Sequence, residues 1–243
     1  MNAVIIVAGG RGLRMGTAVP KQFLPLAGKP VLIHTIERFL AADERLSIVL
    51  ALPPAEHPRW QALCQEHHFA PARLRVVSGG STRFHSVRNA IEAVPPEAEL
   101  IAVHDGVRPL VPTSLIRRCF ERAAETGAVL PATPVVETLR HVSHGVVPRG
   151  DYRLVQTPQV FRAHILRAAY RQPYDAAFTD DASVVEAAGF PVTLIEGSRR
   201  NIKLTAPDDL LLAEALLAAT PSDPSPLTEE EAQRACPEDG RQL

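Results

Sequence analysis

Short β-branched apolar runs alternate with helix-length amphipathic stretches through most of this 243-residue chain, and that alternation limits its fold more than any other feature. Ala3–Ala8, Ser47–Leu52, Leu74–Ser78, Leu100–His104 and Ala128–Pro131 read as strands. Their nearly continuous apolar character suits a sheet covered on both faces. Between them lie helical patterns at Val31–Ala42, Glu56–His68, Arg83–Val94 and Ser114–Thr126. In the third, Val87, Ala90, Ile91 and Val94 share one face by their i, i+3, i+4, i+7 spacing. Such alternation predicts an α/β domain of three layers, with a mainly parallel sheet and right-handed crossovers.

The rhythm changes after Pro134. Thr138–Val142 and Val146–Arg149 flank Ser143-His144-Gly145 and read as a small exposed hairpin, an arm over about residues 136–150. The α/β pattern then resumes. Helices are expected near Arg162–Arg171 and Asp180–Ala188, and strands at Val192–Glu196 and Asn201–Leu204. A last helix is expected from Ala206 to Ala219, with Thr205 as N-cap and Pro207 and Asp208 in its first turn. One domain over residues 1–220 is therefore expected. The tail, Pro221–Leu243, is rich in Pro, Asp and Glu and is expected to stay outside the core, although Thr228–Ala235 could form a short helix.

Charge and cysteine usage narrow the classes of function. A net charge of −1 gives no overall attraction to nucleic acid or to an anionic membrane, so any phosphate site must be a local cluster. Cys64, Cys119 and Cys236 are widely spaced, with no CxxC pair, which argues against a disulfide scaffold or zinc knuckle and fits a reducing cytoplasm. The first residues have no basic n-region, and no apolar run reaches membrane length, so neither a signal sequence nor a span is expected.

The strongest local signal is Gly9-Gly10-Arg11-Gly12-Leu13-Arg14-Met15-Gly16, directly after the first strand and followed by Pro20-Lys21-Gln22. Glycines at the C-terminal end of a strand let backbone N–H groups approach an anion closely. Arg11, Arg14 and Lys21 put three cations around that loop, at the end of a parallel sheet where ligands bind. A Walker loop is excluded, because Lys21 lies between Pro20 and Gln22; the dinucleotide fingerprint fails because its third glycine position is Met15.

These residues, with Gly79-Gly80-Ser81-Thr82-Arg83-Phe84-His85-Ser86-Val87, His104-Asp105-Gly106-Val107-Arg108-Pro109, Thr157-Pro158-Gln159, Thr179-Asp180-Asp181-Ala182-Ser183 and Asn201-Ile202-Lys203-Leu204-Thr205, occur in the order and at the intervals of a known family. The chain resembles the 2-C-methyl-D-erythritol 4-phosphate cytidylyltransferases of the non-mevalonate isoprenoid pathway, through to about Ala219. It departs in two places: Ala8-Gly9-Gly10 stands where relatives usually have Ala-Ala-Gly, and Ser81 where some carry Asp.

The resemblance implies a Rossmann-like nucleotidyltransferase domain whose protruding hairpin packs on a second subunit of a homodimer. It implies transfer of CMP from CTP to the polyol phosphate, with Mg2+ held mainly by the triphosphate and in part by Asp105. A phosphate monoester is largely dianionic at neutral pH, its second pKa being about 6, so the nucleophile needs no activating triad. By resemblance Arg14 and Lys21 meet the α-phosphate, while Arg149 and Lys203 complete the catalytic set. Ala8, Gly9, Gly10, Gly12, Gly79, Gly80, Ser86, Asp105 and Gly106 are implied for CTP. Arg108, Thr138, Thr157 and Thr179 are implied for the polyol phosphate, and Arg83 for holding its loop.

The residues themselves leave alternatives open. Ser86 reads equally as a helix serine bonded to its own backbone. His104 reads as a packed strand-end histidine, His141 with His144 as a poor metal pair, and Asp180 with Asp181 as caps for the helix that follows. A different polyol phosphate such as ribitol 5-phosphate would use the same chemistry. A nucleotide-sensing protein without activity is the rival from another class, although it would not need cations on both reacting phosphates.

Overall fold

A computed structural model describes residues 1–10 and 19–219. The expected roles of Gly12 and Arg14, and the short helix expected at Thr228–Ala235, lie outside the described residues.

In chain order the elements are β1 (Asn2–Val7), β2 (Pro25–Leu26), β3 (Lys29–Pro30), α1 (Val31–Ala42), β4 (Ser47–Leu52) and α2 (His57–Glu66). There follow β5 (Leu74–Ser78), α3 (Arg83–Ile91), β6 (Leu100–Asp105), α4 (Thr113–Thr126) and β7 (Ala128–Pro134). The remainder comprises β8 (Arg140–His141), β9 (Gly145–Val146), β10 (Arg153–Val155), β11 (Gln159–Arg162), α5 (Ala163–Ala169), α6 (Asp181–Ala187), β12 (Thr193–Glu196) and α7 (Asp208–Ala218).

The centre of the sheet is parallel: β1 pairs with β4 on one side and β6 on the other, and β5 continues beyond β4. Strand periodicity divides the core in two. Val4, Ile6, Ile48 and Leu50 point to one face and pack against Ile33, Ile36 and Phe39 of α1 and Leu115, Ile116 and Phe120 of α4. Ala3, Ile5, Val49 and Ala51 point to the other and meet Phe84 and Val87 of α3, Leu166 of α5 and Val184 and Val185 of α6. Three layers result because both faces of each central strand are apolar. At the end of α4 Gly127 adopts φ +92, a left-handed conformation that closes the helix and turns the chain into β7.

The far half contains a departure from the sequence reading. Val129 of β7 is in register with Val160 on one side and Thr193 on the other, and Ala132 with Val155 and Glu196. β10 and β11 therefore share one edge of β7, while β12 runs parallel along the other. β11 is antiparallel to both β6 and β7, a strand the hydrophobic pattern did not show. The arm's ladder is also shorter than expected, with Arg140 opposite Val146 and His141 opposite Gly145. Arg149 begins a 3₁₀ turn, Arg149–Asp151, rather than ending a strand.

Two further expectations are corrected. Residues 201–205 form no strand: the Asn201 carbonyl accepts from the Arg108 guanidinium and Leu204 N–H donates to the Val107 carbonyl, so no ladder partner is left. Thr205 does not cap α7. Asp209 reaches back instead, its Oδ2 accepting from Thr205 N–H at 2.6 Å, Thr205 Oγ1 at 2.9 Å and Ala206 N–H at 2.8 Å. Among the described residues no helix is long and apolar enough to cross a membrane.

Candidate active site

A cavity of about 320 Å³ opens at the C-terminal ends of β1 and β6. Its described walls carry Ala8, Gly9, Gly10, Lys21, Gly80, Arg83, Ser86, Asp105 and Lys203, together with Gln22 and Val107. Residues from both ends of the sequence meet there because parallel strands point their carboxyl ends the same way.

The glycine segment is held from below. Ala8 N–H donates to the Ala51 carbonyl, and the buried Gln22 amide donates to the Ala8 carbonyl at 2.9 Å. Gln22 shares the short 3₁₀ turn Lys21–Phe23 with Lys21, so the bond that fixes the glycine strand end also fixes the lysine's backbone. A Cβ on Gly106 would sit 3.0 Å from that of Ala8 and 3.1 Å from Leu32 Cδ1, tighter than ordinary contact, so glycine there eases the close approach of the end of β6 to β1.

On the other wall, Thr82 caps α3 by accepting from His85 N–H. Ser86 is buried and fully engaged: it donates to the Thr82 carbonyl at 2.9 Å and accepts from Gly80 N–H at 3.0 Å. The structure thus gives Ser86 a backbone partner in its own helix and, through the same oxygen, a hold on the Gly79-Gly80 turn.

Asp105 is the electrostatic centre. Its Oδ2 accepts from Arg108 Nε at 3.2 Å and lies 3.0 Å from Lys203 Nζ; its Oδ1 is 3.8 Å from Arg83 Nε. Burial alone would raise its pKa, but Arg83, Lys203 and Arg108 outweigh that and hold the carboxyl well below the usual carboxylate range. Asp105 is therefore an anion at any physiological pH. Next to it His104 is driven down to about 3, first by burial, with Arg108 and Lys203 adding to the effect against Asp105. Neutral His104 completes a closed network: Thr157 Oγ1 accepts from Asp105 N–H at 3.1 Å and lies 3.0 Å from His104 Nδ1. The other ring nitrogen faces the Arg108 carbonyl at 3.3 Å. This order makes Nδ1 the acceptor and Nε2 the proton carrier.

Arg83 connects this centre to α6. Its guanidinium grips Asp181 in a fork, 2.8 Å to Oδ1 and 2.5 Å to Oδ2, and Tyr170 Oη donates to the same Asp181 carboxylate at 2.7 Å. Asp181 is therefore no cap. Asp180 alone caps α6, in a reciprocal box with Ser183. Asp181 points inward because a wholly buried carboxylate needs a cation, and Arg83 supplies it.

Of the residues expected at the site, the structure brings together Ala8, Gly9, Gly10, Lys21, Gly80, Ser86, Asp105 and Lys203. Gly79 adjoins them at the end of β5, and Gly106, Arg108 and Thr157 lie beneath, behind Asp105. Thr138, Arg149 and Thr179 are not among the cavity's described lining; the Arg149 guanidinium donates to the Val136 carbonyl within the arm. Gln22, Asp181 and Tyr170 were not anticipated as supports of the site. Among the described residues, no group of three or more His, Cys, Asp and Glu side chains could hold a metal ion by itself.

The family profile for 2-C-methyl-D-erythritol 4-phosphate cytidylyltransferase matches residues 2–219. A protein of that name from Bacteroides thetaiotaomicron is 55% identical over 219 residues, covering 89% of this chain and 99% of its own. Among solved structures, the 2-C-methyl-D-erythritol 4-phosphate cytidylyltransferase of Thermus thermophilus superposes with a TM-score of 0.71 at 36% identity, covering 90% of this chain and all of its own (100%). The 4-diphosphocytidyl-2C-methyl-D-erythritol synthase of Anaerococcus prevotii gives a TM-score of 0.75 at 26% identity, over 89% of this chain and 97% of its own. Fold, cavity and sequence agree, and this chain belongs to the 2-C-methyl-D-erythritol 4-phosphate cytidylyltransferase family.

Proposed function

We propose that this protein transfers CMP from CTP to 2-C-methyl-D-erythritol 4-phosphate, releasing pyrophosphate. The observation that carries the reading is the cavity at the ends of β1 and β6, lined by Lys21, Arg83 and Lys203, where one ionised carboxylate, Asp105, holds Arg83 and Lys203. A phosphate oxygen of the polyol attacks the α-phosphorus and forms the new P–O bond. The bond from that phosphorus to the bridging oxygen breaks, and pyrophosphate leaves with the electron pair. No proton need move, so alignment and neutralisation of charge supply the rate.

Ala8, Gly9, Gly10, Gly12, Gly79, Gly80, Ser86 and Gly106 are assigned to CTP, largely through backbone contacts. Lys21 and Arg14 are assigned to the α-phosphate. Lys203, Arg149, Thr138 and Thr179 are assigned to the polyol phosphate. Arg108 and Thr157 belong to the same side, and their burial beneath Asp105 supports an indirect part through that carboxylate and the segment carrying Lys203.

The donor set suits Mg2+ in a limited way. Asp105 offers Oδ1, since Oδ2 serves Arg108 and Lys203, and a magnesium ion needs few protein oxygens when triphosphate and water complete its shell. Bound there with CTP, the ion would neutralise triphosphate charge. A homodimer is supported by the exposed Val136, Val142, Val146, Tyr152, Leu154 and Val155 on and beside the arm. The free thiols of Cys64 and Cys119 agree with a cytoplasmic setting.

Pyrophosphate release with CTP and 2-C-methyl-D-erythritol 4-phosphate, run beside ribitol 5-phosphate, tests the assignment. Turnover with the first and little with the second is expected; preference for ribitol 5-phosphate would overturn the choice of substrate.

A further inference from the structure

Asp181 is wholly buried, yet nothing in the reaction above uses it. Arg83 is the first residue of α3 and follows the Gly79–Thr82 turn assigned to CTP. Asp181 is the first residue of α6 and follows Thr179, assigned to the polyol phosphate. The fork between them bridges 98 positions of sequence, and the free edge of Arg83 faces Asp105 at 3.8 Å. One ion pair thus touches both loops of the site and its central carboxylate.

Stability alone is a weak reason for such a pair. Two charges removed from water regain little beyond their desolvation cost, and well-packed apolar residues often serve as well. The surroundings are suited to that exchange, since Phe84 stacks on Tyr170 at 4.8 Å and Val184 and Val185 of α6 are buried in the same cluster. A planar guanidinium–carboxylate fork differs from apolar packing in fixing direction as well as distance at both ends. Tyr170 holds the carboxylate from a third direction, leaving Asp181 a single orientation.

We propose that Asp181, acting through Arg83, is a positioning residue that fixes the polyol-phosphate loop at Thr179 relative to the CTP loop at Gly79–Thr82. The inference rests on the cytidylyltransferase reading given above. Without the fork each loop keeps its own cap, Thr82 on α3 and Asp180 on α6, so the loops stay formed but lose their mutual registry. Both loops also keep a tie to the sheet, Gly79 N–H to the Leu52 carbonyl of β4 and the start of α6 to Gln159 of β11, but the substituted carboxylate lies on the Thr179 side. The loss should therefore fall on the second substrate.

Steady-state kinetics of Asp181→Asn, varying each substrate separately, test this. The KM for the polyol phosphate should rise about tenfold or more and kcat should fall, while the KM for CTP changes by less than about threefold, because misplacement by an ångström costs on the order of 10² in rate. If Asp181→Asn fails to fold, Asp181→Glu, which keeps the charge and leaves Arg83 in place but spoils the geometry of the fork, decides the matter by the same readout. Unchanged KM values, or equal rises for both substrates, would overturn the positioning role. Absence of cytidylyl transfer by the wild-type protein would instead overturn the functional reading itself.

Discussion

Gly80→Ala is the perturbation whose cost the structure defines most closely. A Cβ at this position would stand 2.4 Å from His85 Cβ and 2.8 Å from the His85 carbonyl carbon. Carbon atoms settle at about 3.5–4.0 Å, so the gap must widen by more than about 1 Å. His85 cannot yield, since it lies in the first turn of α3 under the Thr82 cap. The turn must lift instead, and lifting strains the 3.0 Å bond from Gly80 N–H to Ser86 Oγ. Overpacking at roughly 1–3 kcal/mol and one weakened hydrogen bond at about 1 kcal/mol give about 2–4 kcal/mol. For a chain of this size that lowers Tm by roughly 5–15 °C. With CTP bound at this turn as proposed, displacing the turn by about 1 Å should also reduce kcat/KM for CTP by about 10². Gly79→Ala is the internal comparison: its nearest neighbour is Ser86 Oγ at 3.2 Å, which needs to give by only a few tenths of an ångström. Thermal unfolding and CTP titrations of both variants would measure the difference. A Gly80→Ala protein with lowered Tm but unaltered kcat/KM would refute the placement of CTP at this turn, and one changed in neither would refute the steric argument.

Three other outcomes are expected. Lys21→Ala should lower kcat by about 10² or more with only a small change in CTP affinity, as expected of a contact that strengthens in the transition state; weak CTP binding with normal kcat would reject that role. His104 should make stability fall on mild acidification: its pKa drops from 6.5 unfolded to about 3 in the fold, so the unfolded chain binds the extra proton between those values. Between pH 7.5 and 5.5 the loss is about 1.4 kcal/mol, measurable by urea unfolding and reduced in His104→Gln. If Arg149 serves a partner's Lys21, mixing inactive Lys21→Ala and Arg149→Ala proteins after subunit exchange should restore about a quarter of the sites; confirmed heterodimers without activity would show that it does not.

The parallel half of the fold was legible because its strands are buried on both faces and its helices carry one apolar stripe. Ser47–Leu52, Leu74–Ser78 and Val31–Ala42 were expected at the observed bounds for that reason. β11 was not. It begins with Gln159, a residue depleted in cores, whose side chain is satisfied only by the distant Asp180 carboxylate and Ala182 N–H. Asn201–Leu204 misled in the opposite direction. Ile202 and Leu204 alternate like a strand, but their apolar side chains join α7 and Val107 rather than a sheet face. Periodicity reports which side chains are buried and leaves open whether the backbone has a ladder partner.

The site was legible where chemistry is encoded locally, in glycines and cations at strand ends, and illegible where it depends on ion pairs. Nothing near Asp181 in the sequence points to Arg83, and nothing near Asp105 announces that three cations converge on it. Yet those pairs explain how a chain of net charge −1 can receive a polyanion. Among the described residues the cavity lining holds Lys21, Arg83 and Lys203 against Asp105 alone, an excess of two positive charges. Left unpaired, such cations would repel one another and splay into solvent. Asp105 draws Arg83, Arg108 and Lys203 inward from three separate segments, and Asp181 takes up the charge of Arg83 from behind. The buried acids therefore work against the site's net charge but in favour of its geometry. Preorganised cations stabilise a transition state more than mobile ones, because no reorganisation is required as charge develops. On this argument, removing either acid makes the cavity more positive and the enzyme slower, the opposite of what simple attraction between the site and its substrates would give.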